Sequence, residues 1–204
     1  MARARPISDI AAQALTGKNA RIIARIRLEE MELWGRYAHD PQRSDELHDL
    51  RIAAKRLRYT LEIFAEVLPA EISSVIAEVT QIQEELGSLH DSDVMIALLH
   101  LCIEQQRHSK STGARGQKIS GKNVQAMAVE AQQKAGKRLI ANLELVTHLL
   151  DPHSTPSQAQ YESLKSLLRS TRQQREEQYN VFRVHWDRLQ ERGFQREMLD
   201  VLHA

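Results

Sequence analysis

The chain has 204 residues, enough for one domain or two small ones with a real core. Its net charge of +1 excludes a polycation that binds nucleic acid through bulk charge, so any polyanion would have to meet a segregated patch. Aromatic residues make up 4% of the chain, which points to a core of Leu, Ile, Val and Ala and weighs against recognition by base stacking. A lone cysteine, Cys102, excludes an intrachain disulfide and suits a reducing compartment. No apolar run approaches the roughly 18 residues that span a bilayer. The opening MARARPISDI has arginines without an apolar segment and is not read as a secretory signal. The expectation is a cytoplasmic protein.

In chain order, Ser8 reads as an N-cap for a first helix reaching about Tyr37, with Ile22, Ile26 and Met31 toward the core. Lys18, Arg21 and Arg25 share a stripe of that helix, closed by Glu29 and Glu32. Such a stripe is either a solvated face supported by Arg25–Glu29 pairing or part of an anion site. HDPQR at 39–43 is a turn broken by Pro41. The second helix runs from Ser44 to about Leu68 and separates into two faces at about 100° per residue. Leu50, Ala53, Ala54, Leu57, Leu61 and Phe64 form the apolar side. His48, Arg51, Lys55, Arg58 and Tyr59 fall within an arc of roughly 100° on the other. Like charges spaced i, i+3 and i+4 repel, and a chain that stacks them has a use for an anion there.

A third helix is expected over about 70–86, ended by Gly87 as a C′ glycine, with Asp91 capping a fourth helix through the apolar run to Cys102. Residues 107–122, RHSKSTGARGQKISGK, read as a loop without acidic residues, either a linker or a basic arm that closes over an anion. A fifth helix is expected over about 122–150. Thr155, Pro156 and Gln158 then start a sixth that runs to about Arg192 before Gly193, and a short helix ends the chain. On the sixth helix Lys165, Arg169, Arg172 and Arg183 share a face with Tyr179. No strand pattern occurs. The fold class is all-α, an antiparallel bundle of about six helices with basic surface faces, forming one domain over residues 1–204.

HDLRIAAKRLRYTLEIF, followed by LGSLHDSDV, resembles the CHAD family, the conserved histidine α-helical domain. His48, Arg51, Lys55, Arg56, Arg58, Tyr59, Gly87 and Asp91 match its motif position by position, and the arginine-rich end with Trp186 is also similar. The resemblance implies a helical bundle that binds inorganic polyphosphate, in some members at polyphosphate granules. Full-length members resemble two tandem bundles, whereas only one clear copy of the motif is present here. Either two chains associate as a homodimer to rebuild the double bundle, or one bundle makes a smaller site from the second helix with the first and sixth.

Polyphosphate suits a track of Arg and Lys, since it offers charge without base edges; arginine pairs two N–H groups with phosphate oxygens and lysine acts as a point charge. The expected function is therefore non-catalytic polyphosphate binding, with no cofactor, no metal, no specific nucleic acid and no membrane partner. The rival reading is a metal-dependent phosphohydrolase, or an accessory subunit of a polyphosphate or nucleotide enzyme. It rests on His-Asp dipeptides at 39–40, 48–49 and 90–91. Adjacent helical residues point about 100° apart, so His48 and Asp49 do not converge as a simple pair. No phosphate loop, HExxH or nucleophile elbow is present.

Overall fold

The computed structural model describes residues 4–111 and 158–203, and every regular element among them is helical. In order these are α1 (Thr16–Gly35), α2 (Ser44–Ile63), a 3-10 turn (Ala65–Val67), α3 (Ile72–Ser111), α4 (Gln158–Arg192) and α5 (Phe194–His203). The all-α expectation holds, with five helices among the described residues. The expected helix at 122–150, the Thr155–Pro156 start and most of the 107–122 loop lie outside those residues. The part of that loop that is described, 107–111, continues α3.

Three boundaries differ from the sequence reading. First, α1 begins at Thr16, eight residues after Ser8. Ser8 donates to Asp9 instead of capping, and Asp9 has a positive φ of 66° that interrupts any helix there. The amide of Asn19 pins the preceding segment by donating to the Ala11 carbonyl at 2.9 Å. Second, α2 stops at Ile63. Pro69 disfavours a helical residue before it, and Leu68 is extended at φ −98°, ψ 159°. Third, α3 runs unbroken through Gly87 and Asp91. One interior glycine costs about 1 kcal/mol, less than the apolar positions on either side gain by staying in phase. Among the described residues, Gly193, between α4 and α5, is the glycine with a left-handed φ, 80°, and it ends α4 where expected.

The chain divides into two compact units, Met1–His90 with Gln178–Ala204, and Asp91–Glu177. In the first unit the core is built by Ala20, Ala24, Leu28 and Met31 of α1, and by Leu50, Ala53, Ala54, Leu57 and Leu61 of α2. Val79, Ile82, Leu86 and Leu89 of α3 join them, with Phe182, Trp186 and Leu189 of α4 and Phe194, Met198 and Leu202 of α5. Burying such side chains stabilises by about 1.5–3 kcal/mol each. Tyr179, expected on the cationic face of its helix, is buried and donates its hydroxyl to the Ala38 carbonyl at 3.0 Å. A buried His185 bridges two carboxylates of α3, with Nδ1 2.9 Å from Glu85 and Nε2 3.2 Å from Glu78. Burial pushes the Glu78 carboxyl up, but hydrogen bonds from His185 and Arg192 outweigh it and hold the group below its ordinary range.

In the second unit Met95, Leu98, Leu99, Cys102 and Ile103 pack with Leu164 and Leu168. Asp93 accepts from Arg175 at 2.7 Å, so it serves as an ion-pair partner and not as a helper at a helix start. Burial pushes the Cys102 thiol up to about 11. The segment Ile72–Glu104 is long and apolar enough to cross a membrane by length and composition alone, although charged residues interrupt its apolar runs. Its apolar residues supply the cores just described, Ile82, Leu86 and Leu89 in one unit and Leu98, Leu99 and Cys102 in the other.

Gly35 closes α1 directly beneath the Trp186 ring, and a β-carbon there would overlap the ring's six-membered edge. Gly35→Ala should therefore destabilise the first unit by about 1–3 kcal/mol, the usual cost of overpacking. Urea unfolding followed by Trp fluorescence reads both the loss of stability and the displaced ring.

Candidate functional site

The amphipathic division of α2 is real, and its polar side is less open than a solvated face would be. Leu47, Leu50, Ala53, Ala54, Leu57 and Leu61 are buried. His48, Arg51, Lys55 and Arg58 are half-buried, and Tyr59 is exposed. The reason is α3, which lies along the first half of this side. The rings of His48 and His90 are stacked at 4.3 Å between centroids, tilted by 41°. Arg51 Nε sits 3.6 Å from where a β-carbon on Gly87 would lie, so the glycine leaves a bare helix surface for the guanidinium to cross. Further along, Lys55 Nζ and the Arg58 guanidinium both lie over the Tyr59 ring, 5.6 and 4.8 Å from its centroid. Cation–π attraction of this kind holds two long side chains extended beside one another. Arg58 also pairs with Glu62, Nε to Oε1 3.4 Å. Arg51 Nε is buried without a hydrogen-bond partner among the described residues.

Arg56, part of the same motif, points elsewhere. It pairs with Glu30 of α1, whose side chain is 2% exposed. The same carboxylate accepts from Arg27 at 2.8 Å, and Arg27 also donates to the Arg5 carbonyl at 3.1 Å. Sequence reasoning missed Glu30 and Arg27. The available signal was an Arg and a Glu three apart on the side of α1 that carries Ala20, Ala24 and Leu28, where neither has a solvent-facing role.

The remaining candidate cations each have their own surroundings. Lys18, Arg21 and Arg25 line a cleft of 200 Å³ with Ile22 and with Leu199, Leu202 and His203 of α5. Arg25 has Glu29 at 3.9 Å. Arg183 is exposed and pairs with Asp187 at 3.6 Å. Lys165, Arg169 and Arg172 belong to the second unit. There Lys165 pairs with Glu162 at 3.2 Å and covers the Tyr161 ring, Arg169 is exposed, and Arg172 donates to His100 Nε2 at 2.6 Å. Among the described residues no group of three or more His, Cys, Asp or Glu is arranged to hold a metal ion.

His48, Arg51, Lys55 and Arg58 thus follow one another along the polar side of α2, each half-buried. The family model for the CHAD domain matches residues 2–100. The match takes in α1, α2 and α3 as far as His100 and does not extend to the arginine-rich helix near the end. No curated protein and no solved structure matches the chain. The CHAD match thus covers both partners of the His48–His90 stack and both partners of the Arg56–Glu30 pair.

Removing Glu30 would leave two guanidiniums facing each other beside a closed core. Glu30→Ala should cost about 3–5 kcal/mol, as expected when one partner of a buried ion pair is deleted. Thermal unfolding of the variant measures this loss, and a shift close to zero would show the Arg27–Glu30–Arg56 cluster to be solvated.

Proposed function

We propose that this protein binds inorganic polyphosphate, without catalysis, along the polar side of α2. The observation that carries the reading is the arrangement of His48, Arg51, Lys55 and Arg58 over ten residues, about 15 Å of helix, with Tyr59 bracing two of the cations. Charged groups held in place by Gly87, His90 and Tyr59 lose little freedom when an anion arrives, which favours binding. The ligand has one negative charge per repeating unit and no apolar surface, so a row of donors suits it better than an enclosed pocket. The CHAD match supports the same ligand at the level of the family. Arg56 serves this face indirectly, by fixing α2 on α1. A cytoplasmic location near polyphosphate granules and pairing of two chains belong to the same proposal.

Replacing Arg51, Lys55 and Arg58 with glutamine keeps much of their packing while removing charge. The triple variant should bind polyphosphate at least about a hundredfold more weakly in a calorimetric titration, given about 1.5–3 kcal/mol for each charge-assisted hydrogen bond. Its far-UV circular dichroism should match wild type. Binding at wild-type strength would move the site off α2.

Counterion release gives an independent check. Each phosphate neutralised contributes about −0.7 to the slope of log K against log salt for a flexible single strand. The slope measured for wild type should be shallower by about 2 in the triple variant. A wild-type affinity that does not respond to salt would contradict a cationic track.

A further inference from the structure

The cleft between α1 and α5 has a different chemistry from the α2 face. Its exposed members are Lys18, Arg25 and His203. Its deeper wall is apolar, built by Ile22, Leu199 and the buried Leu202, with Arg21 half-buried beside them. At 200 Å³ it is smaller than the roughly 300–1,000 Å³ of pockets that take drug-sized molecules.

The charges around this opening are unevenly compensated. Arg25 has Glu29 within 3.9 Å. Lys18 and Arg21, in contrast, make no ion pair among the described residues, and the Nε of Arg21 is buried there without a hydrogen-bond partner. That Nε is closed off, but the terminal guanidinium nitrogens of the half-buried Arg21 are not, and an oxyanion at the opening would accept from them. Two uncompensated cations match the two charges of a phosphate monoester. The apolar wall requires an organic body as well, since bare phosphate offers Ile22, Leu199 and Leu202 nothing to bury. Inorganic polyphosphate has no such body either, which separates this cleft from the α2 face.

We infer that the α1–α5 cleft binds a small soluble phosphate monoester with an apolar body, its phosphate on Lys18 and Arg21 and its body against Ile22, Leu199 and Leu202. The cleft is too small for the acyl chains of a lipid, so the ligand is a free metabolite-sized ester and not a membrane headgroup.

Phenyl phosphate is the probe, titrated into the full chain by calorimetry and by methyl NMR. It should bind at least about tenfold more tightly than orthophosphate, because burying part of the ring adds to the phosphate contacts. In wild type the shifted methyl signals should be those of Ile22, Leu199 and Leu202. Arg21→Gln should weaken phenyl phosphate about tenfold or more, while Arg188→Gln, an exposed residue of α4 outside the cleft lining, should leave it unchanged. Equal affinity for phenyl phosphate and orthophosphate, methyl shifts confined to other residues, or wild-type binding by Arg21→Gln would each overturn the assignment. So would displacement of phenyl phosphate by phosphatidylcholine vesicles that carry phosphatidic acid, with no displacement by vesicles that lack it. Should Arg21→Gln fail to fold, the wild-type methyl map decides alone. A loss of polyphosphate binding on changing α2 has no bearing on this outcome.

Discussion

Glu30 is a carboxylate with almost no solvent exposure, and an ionised group is tolerable at such a position only because two guanidiniums reach it. Arg27 comes from the same helix and Arg56 from α2, so the cluster ties α1 to α2 at one register. Around it the interface is lined by alanines, Ala20 and Ala24 on one side and Ala53 and Ala54 on the other, which let the backbones approach. Sliding α2 by one residue would turn Arg56 off the carboxylate and leave a buried charge behind. That penalty fixes the rotation of α2, and with it the direction in which every other cation on the helix points.

Once α2 is fixed, its polar side is shaped by what stands next to it. His48 meets His90, and Arg51 crosses the bare surface at Gly87. Tyr59 stays exposed because its ring is already covered by Lys55 and Arg58. Holding cations half out of water raises their cost in the free protein and strengthens their interaction with an anion, since both effects follow from a lower local dielectric. Within a single motif the arginines thus have different surroundings, Arg56 tied to the buried Glu30 and Arg51 and Arg58 half-buried on the polar side.

The polar side of α2 and the stripe of Lys18, Arg21 and Arg25 on α1 differ in what backs them. Along α2 the neighbours are histidine, glycine and an aromatic face, which suits charge alone. In the α1–α5 cleft the neighbours are Ile22, Leu199 and Leu202, which suits charge joined to apolar surface. Sequence spacing shows Lys18, Arg21 and Arg25 as one stripe but is silent about α5, nearly 180 residues away along the chain. The apolar wall beside that stripe exists only because α5 packs there.

The all-helical class was legible in the sequence because periodicity is a local property, and the two faces of α2 followed from the same count. The end of α4 was legible too, since only a glycine sits easily at the left-handed φ of Gly193. Local signals failed where a distant partner outweighed them. Gly87 and Asp91 look like a stop and a start, yet core positions on both sides of them keep α3 continuous. Ser8 looks like a cap, yet the segment before α1 is held by Asn19 and Arg27. Tyr179 looks like part of a basic face, yet it lies in the core against the Ala38 carbonyl. The sequence by itself determined which residues carry charge and at what spacing along each helix, because those are properties of one element. The tertiary structure decided which charges are spent on Glu30, which are steadied by Tyr59 and which open onto an apolar wall, because each outcome depends on a partner far away in the chain.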